Sequence, residues 1–113
     1  MPVTTKEIAK YAVSVFSDAQ PDRLTATVLL FDPAGKVVAF LRFYAADATW
    51  PANEFRSDLG YALASYPHAS LAAMVDILRN EHPLYFTWYD YMPVRCFGAV
   101  STSREPIGEG ERL

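Results

Sequence analysis

Apolar residues in this chain recur mostly at alternate positions, which predicts strands more often than helices. Two such runs, Leu24–Phe31 and Val37–Tyr44, flank Asp32-Pro33-Ala34-Gly35-Lys36. Proline suits the second position of a type I turn, and Gly35 can take the positive φ that starts a G1 bulge, so the runs are expected to form a β-hairpin. That turn implies a register in which Phe31 faces Val37, Leu29 faces Ala39, Thr27 faces Leu41 and Thr25 faces Phe43. The opposite face then carries Ala26, Val28, Leu30, Val38, Phe40 and Arg42, with Leu24 and Tyr44 at its end. Both faces are largely apolar, whereas a sheet with one wet face alternates cleanly. Each Leu or Phe left in water forgoes about 1.5–3 kcal/mol of burial. A second copy of the chain is therefore expected to cover one face, and a two-fold homodimer is the commonest closed assembly.

The same periodicity places the other elements. In Lys6–Ser17 the residues Tyr11, Val13 and Val15 share a face; a helix is conceivable there, but the β-branched run favours a strand. Ser17–Asp22 reads as a turn, and Ala45–Arg56 as a loop holding Trp50, Pro51 and Asn53. Leu59–Tyr66 fits a helix through Leu59, Leu63 and Tyr66 and a strand through Tyr61, Leu63 and Ser65, with the strand preferred. Residues 69–82 form the one clear helix, with Leu71, Met74, Val75 and Leu78 on a face widened by Ala72 and Ile77. His82 suits its C-terminus and Pro83 stops it. Leu84–Tyr91 is a strand, with Leu84, Phe86 and Trp88 on one face and Tyr85, Thr87, Tyr89 and Tyr91 on the other. Val94–Thr102 is a final strand after a turn at Met92-Pro93. The expected fold is α+β: a curved antiparallel sheet of about five or six strands with one principal amphipathic helix at about 69–82. Residues 1–103 make a single domain, and residues 104–113 an extended acidic tail.

Composition narrows the class. At 113 residues the chain fits one domain. A domain of this size buries roughly 65% of the surface its unfolded chain exposes. Hydrophobic residues make up 51% and aromatic residues 14%, which excludes disorder for most of the length. The single cysteine, Cys96, cannot form an internal disulfide, which fits a reducing cytoplasm. The opening Met-Pro-Val-Thr-Thr-Lys-Glu lacks the apolar core of a signal peptide. The longest uncharged run, Leu59–Val75, is broken by Gly60, Pro67 and His68, so no membrane partner is expected. A net charge of −3, with the basic residues scattered, argues against a duplex-DNA binder while leaving room for a small basic groove.

Candidate chemistry is sparse. His68 and His82 stand at opposite ends of the helix, about 21 Å apart, too far to share an ion. No metal or cofactor is expected. Cys96 has Arg95 beside it, but strand neighbours point to opposite faces, so a buried inert thiol is the better reading. Asp76 and Arg79 can pair across a solvated helix face. Asp90 suits a strand end or turn. Gly108 and Gly110 precede no helix and cannot cradle a phosphate. No catalytic set emerges, which favours a non-catalytic role.

Tyr85, Tyr89 and Tyr91 form a row of flat amphipathic rings open to three readings: ordinary packing, a subunit or partner interface, and base stacking. Arg42, Arg95 and Lys10 could supply phosphate contacts if the fold brings them to that face. Trp50 is either a lid over the core or the wall of a pocket for a small molecule.

A strand and hairpin, a further strand and then a helix resemble the fold of the single-stranded-DNA-binding transcriptional coactivators over about residues 6–82. The stretch Ser70–Tyr85 and the tail Arg104–Glu111 also look like those of small uncharacterised bacterial proteins sharing that fold. The resemblance implies a curved antiparallel sheet and dimerisation through helix or sheet, and it brings no catalytic residue. The expected function is a non-catalytic interaction domain acting as a homodimer. A single-stranded nucleic-acid binder, disfavoured by the acidic isoelectric point, and a small-molecule binder or enzyme near Trp50 are the alternatives.

Overall fold

The computed structural model describes residues 3–18 and 20–102. It is a mixed α+β fold with eight strands in two sheets. In chain order these are β1 (Val3–Ile8), β2 (Lys10–Val15), β3 (Leu24–Phe31), β4 (Val37–Tyr44), β5 (Glu54–Arg56), β6 (Tyr61–Pro67), β7 (Leu84–Tyr91) and β8 (Arg95–Thr102). The helix α1 (Leu71–Asn80) follows a short 3-10 turn at His68–Ser70. The smaller sheet has the order β1-β7-β8 and the larger β2-β3-β4-β6-β5. The expected tail at 104–113 lies outside the described residues.

The hairpin forms where its turn residues place it. Gly35 adopts φ of 86°. The Asp32 carboxylate accepts from the Ala34 and Lys36 amides, each at 2.9 Å, and Gly35 N donates to Asp32 O. Phe31 pairs with Val37 as the turn implies. Beyond that pair the expected register fails. Leu30, not Leu29, pairs with Ala39, because Val38 is an extra residue on β4. Such a bulge turns every later side chain of its strand to the other face of the partner. Ala39, Leu41 and Phe43 thereby line up with Leu30, Val28 and Ala26, and all six are 0% exposed. Without the bulge those two sets would point to opposite sides. A second irregularity at Thr25 ends the shifted stretch and lets Leu24 pair with Tyr44.

The expected spread of apolar residues over both faces is corrected: the bulge gathers the six fully buried ones on the inner face, which the chain covers itself. Met74 and Leu78 of α1, and Ile8, Leu84, Phe86 and Trp88 of the smaller sheet, join it in one core with Ala62 and Ala64 of β6. The domain is thus two layers, the large sheet on one side and the small sheet with α1 on the other. Gly98 allows the close packing of the small sheet, since a Cβ there would lie 2.5 Å from the Phe86 ring.

Further strands depart from the expected single antiparallel sheet. The run at Lys6–Ser17 is two strands, broken at Ala9, with β1 on β7 and β2 on β3. The Leu59–Tyr66 run is a strand, but it pairs parallel to β4. Short β5, inside the expected loop, pairs back onto β6. No helix of the described residues is long and apolar enough to cross a membrane.

Candidate functional site

The outer face of the large sheet lies away from the small sheet and α1, and Leu63, beside Phe40, is buried on it. Alternation along β3 and β4 sends Thr27, Leu29 and Phe31 outward with Phe40 and Arg42, and all five are half-buried. Arg42 lies between Thr27 on β3 and Ser65 on β6. Its Nε and Nη2 are buried and meet no hydrogen-bond acceptor among the described residues. A buried donor without an acceptor costs about 1–3 kcal/mol, more for a charged group.

The loop from β4 to β5 folds over the end of this sheet. Ser65 Oγ donates to Pro51 O, and Trp50 Nε1 donates to Ala45 O at 3.3 Å. Trp50 remains 38% exposed. It stands at the rim, on the loop, and lines neither of two clefts elsewhere. One, of about 370 Å³, lies between the start of β2 and the end of α1 and includes Lys10, Glu81 and His82. The other, of about 410 Å³, is an apolar hollow beside Thr25 and His68.

On the small sheet the tyrosine row does face outward. Thr5 and Thr87 share a hydrogen bond on that face at 3.0 Å. Tyr89 stacks on Phe97 with centroids 4.7 Å apart, and the Arg95 guanidinium carbon lies 4.9 Å from the Phe97 centroid on that ring's face. Tyr91 tilts against Tyr89 at 6.1 Å and is 45% exposed. Arg95 therefore joins the tyrosines, whereas Arg42 and Lys10 belong to the large sheet and cannot serve the same surface. Phe97 was not singled out from sequence, although its place opposite Tyr89 follows once the turn at Met92-Pro93 is granted.

Asn53, a loop residue with no sequence signal for a further role, joins the two layers. Its side-chain Nδ2 donates to Cys96 O and its Oδ1 accepts from Ser65 N. The Cys96 thiol donates to Asn53 O at 3.0 Å. Partial burial, with the Asp90 and Glu54 carboxylates near, pushes that thiol up from its ordinary value, so little of it is thiolate at neutral pH. Asp90 accepts from the Met92 amide, the turn role expected of it. Asp76 accepts from Asn80 rather than pairing with Arg79. His68 Nδ1 sits 2.7 Å from Thr25 Oγ1, which itself donates to Phe43 O. Among the described residues no group of His, Cys, Asp and Glu is arranged to hold a metal.

Tyr66 ties the layers together from the other side. Its ring stacks on Phe43 at 5.3 Å and its phenol donates to Gly98 O at 3.2 Å. Burial pushes the phenol up to about 12. The folded state thus holds this proton more tightly than the unfolded chain, whose tyrosine titrates near 10. The stability is intact below about pH 10 and drains as pH rises toward about 12, at up to about 1.4 kcal/mol per pH unit. Tyr66→Phe has no such proton to lose. Urea unfolding at pH 8 and pH 11 should show the wild-type advantage over the variant shrinking by about 1 kcal/mol. An advantage that does not change with pH would show that the phenol is not held.

Comparison with family models, with curated proteins and with solved structures returns no match.

Proposed function

We propose that this chain is a non-catalytic interaction domain that acts as a homodimer and offers the outer face of its large sheet to a partner. The observation that carries this reading is Arg42. A guanidinium set among half-buried apolar side chains, with Nε and Nη2 unmatched, costs the isolated chain stability. A partner that brings a carboxylate over the guanidinium offsets part of that cost through its charge, and the surrounding Leu29, Phe31 and Phe40 supply the apolar contact. The raised Cys96 thiol and the turn role of Asp90 support a non-catalytic reading, since each has a structural explanation.

Arg42→Met keeps the length of the side chain and removes the unmatched donors. It should raise the stability of the isolated chain by about 1 kcal/mol in urea unfolding. A loss of stability would show that the chain itself satisfies Arg42, and the binding reading would lose its support.

A second reading, single-stranded nucleic-acid binding, draws on the aromatic cluster of the small sheet. Its weakness is physical. Tyr89 lies against Phe97, with Arg95 over the same ring, so the rings largely occupy one another's faces, and Tyr91 is the most open of the three. Glu7 on β1 stands opposite Tyr85 and adds a negative charge to that face. A fluorescence-anisotropy titration with short oligonucleotides at low salt should therefore show no saturable binding up to tens of micromolar. Saturable binding that Tyr91→Ala abolishes would reverse the order of the two readings.

A further inference from the structure

Among the described residues each sheet ends in two edges, and three of the four are defended against a foreign strand. β5 is three residues long and carries Glu54 and Arg56. β1 carries Lys6 and Glu7. Short length and charge are both ordinary ways of blunting an edge. β8 is occupied by side chains: Cys96 O accepts from Asn53 and Gly98 O accepts from Tyr66. β2 is guarded less than these: its one charge, Lys10, stands at its first residue. Tyr11–Val15 contains no charge and no proline, and Val13 and Val15 are 36% and 62% exposed.

The outward main chain of that edge follows from the register. Antiparallel partners alternate between pairs that exchange two hydrogen bonds and pairs that exchange none. Phe16 N donates to Thr25 O at 2.9 Å, and this pair continues the β2–β3 register in which Val15 faces Ala26. Even-numbered residues of β2 therefore turn their N–H and C=O toward β3. Tyr11, Val13 and Val15 turn theirs away from the sheet. Their side chains share the inner face, opposite Leu30, Val28 and Ala26.

We infer that β2 pairs antiparallel with β2 of a second copy about a two-fold axis at Val13, joining two five-stranded sheets into one. Val13 faces Val13 of the second copy, and Tyr11 faces Val15 in both directions. All three are pairs of the kind that exchange two hydrogen bonds, so the outward donors and acceptors are matched. The exposed valines meet one another, and Ala12 and Ser14 face each other on the outer surface, where they are small enough not to clash. An antiparallel edge is its own complement under a two-fold axis, and no charge opposes another along Tyr11–Val15. These features favour a second copy over a foreign peptide adding to the same edge. The inference rests on the reading of the chain as a homodimer and adds where the copies join. It also places the two Arg42 faces on the same side of one continuous sheet.

The test is sedimentation of the full chain at micromolar concentration together with residue-resolved amide exchange. A mass of two chains is expected, with the Tyr11, Val13 and Val15 amides slowed at least about tenfold relative to a one-chain variant. Val13→Pro and Val15→Lys should each give one-chain mass and free exchange at the remaining outward amides, with the circular dichroism of the wild type. Val3→Lys, the same kind of change on the β1 edge, should leave two chains. A one-chain wild type overturns the inference and the homodimer together. Two chains with freely exchanging Val13 and Val15 amides, or with a mass that folded edge variants do not change, overturn the edge pairing alone. If both variants unfold, the wild-type exchange pattern decides.

Discussion

Val38 has no counterpart on β3, and the side chains buried by this domain depend on that extra residue. Phe31 meets Val37, then Leu30 meets Ala39, so every later residue of β4 is turned over relative to its partner. The consequence is a sorted sheet. Small and large apolar side chains of both strands fall on the inner face, where α1 and the small sheet exclude water from them. Thr27 and Arg42 fall on the outer face with a thinner set of apolar neighbours. A β-sheet alternates strictly, so only a bulge can rescue two strands whose apolar residues are out of phase.

This explains what could be read in the residues and what could not. The hairpin turn was legible because Asp32, Pro33 and Gly35 each carry a local conformational preference. The helix was legible from the spacing of Leu71, Met74 and Leu78, and the faces of β7 from the alternation of Leu84, Phe86 and Trp88. The bulge was not, since Val38 has the same β-branched side chain as its neighbour Val37 and nothing local marks it as the extra residue. The need for it arises only when a second layer lies over Leu41 and Phe43. The break at Ala9 carries no local signal for a similar reason: Ile8 and Tyr11 both look like strand residues, and only the tertiary fold assigns them to different sheets. The parallel pairing of β4 with β6 depends on the chain crossing the sheet end through the loop of Trp50, Pro51 and Asn53, a path that local sequence does not encode.

The candidate sites divide in the same way. The tyrosines of β7 share a face because period-two alternation demands it, and Arg95 joins them because the turn at Met92–Pro93 pairs it with Tyr91. Arg42 was grouped with them only as a cation, and the fold places it on the other sheet. Its unmatched donors, and the charge-free stretch Tyr11–Val15 on the edge of β2, are properties of what does not surround them. Such properties appear only when all neighbours are known.

The register of the hairpin is open to direct measurement by backbone nuclear Overhauser effects across β3 and β4. Contacts pairing Leu41 with Val28 and Phe43 with Ala26 are expected. Contacts pairing Leu41 with Thr27 and Phe43 with Thr25 would contradict the bulge, return the apolar residues to both faces, and remove the basis for an outer face organised around Arg42.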